Sequence, residues 1–203
     1  MNVNLPFSIQ AATCLALPDL RDRLLQFIGE VAYQEGHFQL SSGQSSPYYI
    51  NGKQVTLHPA GAVAIARLIL PQLPEDTVAV AGLTLGADPL VTATSVVAAY
   101  HDRTLTALIV RKEAKGHGTQ AYLEGPTLPP NSPVVVLEDV VTTGQSALKA
   151  VERLRAAGYH VTQIIAIVDR QQGGAALYQE AGLHFQALFT IEDIQRCWRQ
   201  LTH

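Results

Sequence analysis

Residues 134–147 read VVVLEDVVTTGQSA: an apolar run, two adjacent carboxylates, two more apolar residues, then a loop of hydroxyl, glycine and amide residues. The carboxylates are Glu138 and Asp139, followed by Val140 and Val141, and the loop is Thr142, Thr143, Gly144, Gln145 and Ser146. Carboxylates accept hydrogen bonds from hydroxyl groups. A glycine-containing loop that opens a helix offers unpaired N–H groups and a partial positive charge, which suits an anion. A ribose 5-phosphate satisfies both halves, its diol on the acids and its phosphate in the loop. Neither GxxxxGK[ST] nor a GxGxxG opening this helix is present, so the usual nucleotide motifs do not apply. The plainer alternative is an ordinary turn whose Thr and Ser only cap the helix.

A second group is Arg111, Lys112, Glu113, Ala114, Lys115, Gly116, His117 and Gly118. It gathers fixed positive charges and a histidine in a chain that is slightly acidic overall. The glycines, the position after a strand and the lack of period up to Pro126 suit a loop that folds over a polyanion. A solvated charge run is the competing reading.

Elements that could carry these groups follow from the periodicity. Short apolar runs near residues 77, 105, 134, 161 and 185 read as buried strands, and most of them alternate with helical patterns. The pattern predicts an α/β fold: a doubly wound, mostly parallel five-stranded sheet with flanking helices. The loops at 82–88, 111–118 and 138–146 all follow strands, so they share the edge where such sheets bind ligands. Upstream, residues 1–17 show no clear period and read as a poorly ordered lead-in. Asp19 reads as the cap of a helix ended by Gly36, and residues 37–50 as a hairpin returning through Tyr48, Tyr49 and Ile50. Pro59 opens a helix, Asp88 reads as a cap beside Pro89, and Gly158 closes the helix after the acidic motif.

Composition narrows the classes. At 203 residues, 47% hydrophobic and 15% charged, the chain suits a single globular domain over 1–203 rather than a disordered one. A formal charge of −3 excludes a general nucleic-acid binder. No run approaches membrane-spanning length, and the N-terminus lacks a signal-peptide pattern. Cys14 and Cys197 lie far apart without metal-type spacing, which suggests a reducing, cytoplasmic setting.

The 134–147 segment resembles the phosphoribosyl-pyrophosphate (PRPP) motif of type I phosphoribosyltransferases. The Arg-Lys-Glu-Ala-Lys-x-His-Gly segment resembles the basic loop of the orotate phosphoribosyltransferase family, which makes orotidine 5′-monophosphate in pyrimidine synthesis. Residues 38–49, FQLSSGQSSPYY, and Asp169-Arg170-Gln171 extend that likeness from about residue 20 to about residue 190. The resemblance implies a hood formed by residues 1–50, transfer of ribose 5-phosphate from PRPP to orotate, and Mg2+ held mainly through PRPP and water, without a dedicated protein metal site. It implies PRPP contacts from Arg111, Lys112, Lys115, His117 and Glu138 through Ser146, with Lys115, Glu138 and Asp139 in catalysis. Thr142 and Arg170 would contact orotate, and the family's dimers share their active sites between subunits. Arg170 suits the orotate carboxylate as a planar fork, while Tyr49 and Ile50 either flank the pyrimidine or belong to the core.

Ser41 and Leu85-Gly86 stand where many members carry lysine and Tyr-Lys, which removes expected phosphate contacts, and Glu138 replaces a more common Asp. Two other readings stay open: a phosphoribosyltransferase for another base, and a non-catalytic regulator that binds PRPP. The intact basic loop favours turnover, and the Ser-Gly-x-x-Ser-Pro-Tyr hairpin with Arg170 favours orotate.

Overall fold

A computed structural model describes residues 7–39, 45–114 and 122–202. In chain order the elements are α1 (Ile9–Cys14), α2 (Leu17–Val31), β1 (Tyr33–Gln39), β2 (Ser45–Ile50), α3 (Lys53–Thr56) and α4 (Pro59–Ile69). There follow β3 (Ala79–Leu83), α5 (Asp88–Ala99), β4 (Thr106–Val110), β5 (Leu123–Glu124) and β6 (Pro133–Val141). The chain continues through α6 (Gln145–Ala156), β7 (His160–Asp169), α7 (Gly174–Glu180), β8 (His184–Thr190) and α8 (Ile191–Thr202).

The main sheet runs β5-β4-β3-β6-β7-β8. Its five longer strands are parallel, as the alternation of strand and helix predicts. Strand β5 is a short antiparallel addition on β4, and it falls in the segment that carries no period in the sequence. The order reverses direction between β3 and β6, so the connections after these two strands leave toward opposite faces and open a crevice at their C-terminal ends. That crevice is where the acidic motif sits.

Strand alternation divides the core between the two faces. Val80, Val135, Leu137, Ile165 and Ile167 pack with α2, α4, α5 and α8. Ala79, Ala81, Val134, Val136, Ile164 and Ala166 pack with α6 and α7. Gly82 is required by this packing. A Cβ there would lie 2.2 Å from the Ala87 Cβ and 2.5 Å from the Leu137 oxygen, so β3 and its loop could not close against β6.

The N-terminal part departs from the sequence reading. Residues 9–14 form a helix capped by Ser8, whose hydroxyl accepts the Ala11 N–H at 3.1 Å. Arg67 of α4 donates to the Ala12 and Leu15 carbonyls, satisfying groups that a short helix leaves open. Phe7 is buried against Phe27, with ring centroids 5.4 Å apart. Asp19 lies inside the first turn of α2, and Ala16 stands at the cap. Pro18 fits in that first turn because its missing N–H is not needed there. Gly36 does not end this helix, which stops at Val31; it lies in β1, where the pairing with β2 shifts register between Glu35 and Phe38. Asp88 is the first residue of α5 rather than its cap, and it accepts the Thr84 hydroxyl at 2.8 Å.

The β1–β2 hairpin is fixed to the body by aromatic packing. Tyr33 stacks on Tyr48 at 5.9 Å, and Trp198 of α8 meets Tyr33 edge-on at 5.6 Å. Helix α8 is set by a reciprocal cap in which Asp193 accepts the Thr190 N–H at 3.0 Å and donates its own N–H to the Thr190 hydroxyl. The hairpin therefore stands over the crevice on a braced support.

Candidate active site

Strand β6 runs past the acid pair to Val141, so Glu138 and Asp139 are strand residues rather than loop residues. Both sit near the strand end without fraying it, because Val140 and Val141 still pair with Val168 and Asp169 of β7. Gly144 then takes a left-handed conformation, φ 85°, and α6 starts at Gln145. The loop and helix start wrap a small cavity lined by Glu138, residues 140–147 and Tyr178. Val141 is buried under it, and Val140 packs toward the opposite core. Backbone amides at a helix start with a left-handed glycine before them form a cradle for an anion.

Glu138 is buried, and its Oε2 has no hydrogen-bond partner among the described residues. Burial pushes its carboxyl well above the usual carboxylate range, and the neighbouring Asp139 charge adds to the rise. Asp139 is only half-buried, and its Oδ1 accepts the Val140 N–H at 2.9 Å. Two glycines flank it. A Cβ on Gly52 would lie 3.6 Å from Oδ2, and one on Gly86 only 2.7 Å from Oδ1. Gly86 therefore brings bare backbone against the carboxylate.

The folded state favours the protonated Glu138 carboxyl, so this group's stability contribution is complete below the unfolded carboxylate range. It is lost as pH rises from there through the folded value. The melting-temperature difference between Glu138→Gln and the unchanged protein will therefore shift in favour of the variant as pH is raised from about 4, near the unfolded value, toward neutrality. Parallel melting curves across that range would contradict this.

Arg170 follows β7, and its N–H donates to the Val141 carbonyl at 2.9 Å, tying it to the strand end that opens the anion cradle. Its guanidinium is buried under the hairpin. Nε donates to the Tyr48 hydroxyl and Nη2 to the Ser46 hydroxyl, each at 3.1 Å, and the group lies 4.7 Å from the Tyr48 ring centre. Among the described residues Nη1 makes no hydrogen bond. Tyr48, rather than Tyr49, is the tyrosine that meets Arg170. Alternation turns Tyr49 outward, 43% exposed, against Phe38. Ile50 packs at the margin of the core.

Arg111 follows β4 and pairs with Glu124 of β5 at 2.9 Å, with both side chains about 40% exposed. A pair this exposed is worth about 0–1 kcal/mol, too little to hold the guanidinium from a phosphate. Arg153 of α6 donates to the Arg111 and Lys112 carbonyls and lies 4.0 Å over the Tyr122 ring, so it braces the base of this segment. Lys115 and His117 lie outside the described residues, as does Ser41.

Sequence reasoning missed Tyr178, Ser46, Tyr48 and Arg153 as members of the site or its supports. Ser46 and Tyr48 carried a signal, since they lie in the motif-bearing hairpin. Tyr178 and Arg153 carried none, because one reads as a core aromatic and the other as a surface cation on a helix. No group of three or more His, Cys, Asp or Glu among the described residues could hold a metal ion.

A parallel sheet with a glycine-containing loop and helix start after a central strand, carboxylates beside it and a buried arginine after the neighbouring strand fits a phosphoribosyltransferase. The Uracil phosphoribosyltransferase family model matches residues 73–182, which carry the cradle but not the hairpin. Within that class the chain belongs to the orotate phosphoribosyltransferase family. It is 67% identical over 182 residues to an orotate phosphoribosyltransferase of a Nostoc species, covering 90% of this chain and 88% of the relative. The Synechocystis protein of the same name is 61% identical over 193 residues, covering 95% and 98%. The Mycobacterium tuberculosis enzyme solved with Fe(III) dicitrate superposes with a TM-score of 0.76 at 35% identity, covering 86% of this chain and 98% of that one. The same enzyme solved with PRPP gives 0.72 at 31% identity, covering 87% and 99%.

Proposed function

We propose that this chain transfers the 5-phosphoribosyl group of PRPP to orotate, forming orotidine 5′-monophosphate and pyrophosphate for pyrimidine nucleotide synthesis. The observation that carries the reading is the 2.9 Å hydrogen bond from the Arg170 N–H to the Val141 carbonyl. It supports the reading because it joins the residue before the 142–146 loop to the segment that carries Arg170, so that a phosphate site and a carboxylate-binding fork could serve one nucleotide.

In the reaction the bond from C1 of the ribose to the pyrophosphate oxygen breaks, a bond from C1 to a ring nitrogen of the base forms, and that nitrogen's proton is released to solvent. Positive charge builds on the sugar, negative charge on the leaving group. The 142–146 amides and hydroxyls hold the 5-phosphate. Asp139, open between Gly52 and Gly86, accepts a ribose hydroxyl and faces the developing positive charge without reorganising. Glu138 offers its unpartnered Oε2 to a second donor. Thr142, in the cradle, and Arg170 take the base side. Arg111, Lys112, Lys115 and His117 are assigned to the pyrophosphate by the family pattern.

Two adjacent carboxylates fit a hard divalent cation that keeps most of its oxygen ligands from substrate and water. Mg2+, when bound with PRPP, would neutralise the pyrophosphate; Glu138 and Asp139 would approach it through the sugar hydroxyls. We further infer a single working domain with residues 1–50 as its hood, a homodimer that shares active sites, and a cytoplasmic location. Among the described residues no helix is long and apolar enough to cross a membrane.

The test is substrate choice. With PRPP and magnesium, the protein should consume orotate and leave uracil unchanged, because uracil lacks the carboxylate that Arg170 would grip. Consumption of uracil in preference to orotate would overturn the base assignment, and binding of PRPP without turnover of either would favour a regulator.

A further inference from the structure

Helix α7 lies against the underside of the anion cradle. A Cβ on its first residue, Gly174, would come 2.4 Å from Val141 Cγ1 and 3.4 Å from the Gly144 nitrogen. One turn later Tyr178 is fully buried, with its ring so close to Gly144 that a Cβ there would lie 3.0 Å from both Cε1 and Cζ. Phe185 closes the other side of the ring, edge-on at 5.0 Å. A phenylalanine would fill this space equally well. The tyrosine, itself one of the residues around the cradle, adds a buried hydroxyl that has no partner among the described residues.

Glu138 Oε2 is the other buried oxygen in this cavity without a partner, and no hydrogen bond joins the two groups. A ligand that presents an acceptor to the phenol and a donor to the carboxyl would satisfy both. A sugar phosphate has both in one molecule. Burial, with the Glu138 and Asp169 charges, holds the phenol far above its usual range, so it keeps its proton and can only serve as donor when it meets an anion.

We propose that Tyr178 is a binding residue for the phosphorylated end of the sugar, donating its hydroxyl to a ligand oxygen from beneath the 142–146 loop. The proposal rests on the PRPP reading and adds to it a contact that the motif does not contain.

The experiment compares Tyr178→Phe with the unchanged protein by calorimetric titration with ribose 5-phosphate and, separately, with magnesium pyrophosphate. Loss of a neutral donor to a charged acceptor should weaken ribose 5-phosphate about tenfold or more and leave pyrophosphate within about twofold of its value. Unchanged ribose 5-phosphate affinity would overturn the proposal alone. So would equal weakening of both ligands, which marks a packing role. Failure of the unchanged protein to bind ribose 5-phosphate would overturn the PRPP reading and this proposal with it. Should the variant not fold, a crystal of the unchanged protein with ribose 5-phosphate decides: a ligand oxygen about 3 Å from the phenol oxygen supports the contact, and a ligand out of its reach refutes it.

Discussion

Replacing Arg170 by alanine raises the orotate KM on the order of a hundredfold while PRPP affinity stays nearly constant. The guanidinium is buried and is held at Nε and Nη2 by Tyr48 and Ser46, while Nη1 makes no hydrogen bond among the described residues. On the proposed reading its removal takes away charge-assisted hydrogen bonds to the orotate carboxylate, each worth about 1.5–3 kcal/mol, so two orders of magnitude follow from one such contact at the upper end. Arg170→Lys separates charge from geometry. The ammonium keeps the charge but cannot span Tyr48, Ser46 and a carboxylate together, so it should recover only part of the loss. Steady-state kinetics with orotate varied at saturating PRPP, beside direct PRPP titration, measures both. A fall in PRPP affinity as large as the rise in orotate KM would mean that Arg170 supports the hood rather than the base.

Asp139→Asn should lower kcat about a hundredfold with little change in PRPP affinity. Asparagine keeps the size and one acceptor oxygen, so the ground-state contact to a ribose hydroxyl largely survives. On the proposed reading, what disappears is a negative charge facing a sugar that turns positive only as pyrophosphate leaves, and loss of one preoriented electrostatic group costs about 10²–10³ in rate. Single-turnover rates beside PRPP titration separate the two effects. Equal losses in binding and turnover would reassign Asp139 to substrate binding.

The sheet and the cradle were readable because their signals are local. Buried parallel strands show as apolar runs such as Val134–Leu137, and the small-residue turn before an amphipathic helix marks α6. Short or tertiary features were not readable. Helix α1 is a turn and a half long, too brief for a period, and it depends on Arg67 reaching back from α4. Strand β5 is two residues that pair with β4 across the basic segment. The end of β6 was misplaced because charged residues look like a loop, although Glu138 to Val141 remain in the ladder with β7. Tyr178 meets the cradle only through the packing of α7 on β6, a contact between residues far apart in sequence. The same holds for Arg170 and the hairpin. Their residues were each recognisable, but the bond from Arg170 to Tyr48 exists only once the β1–β2 hairpin has packed on the body.

The most direct measurement is a crystal structure with orotidine 5′-monophosphate bound. A single nucleotide should span the crevice, its phosphate on the 142–146 amides, its ribose hydroxyls at Asp139 and Glu138, and its carboxylate on the Arg170 fork. A nucleotide lying elsewhere, or one whose carboxylate faces solvent while its phosphate meets Arg170, would contradict the account.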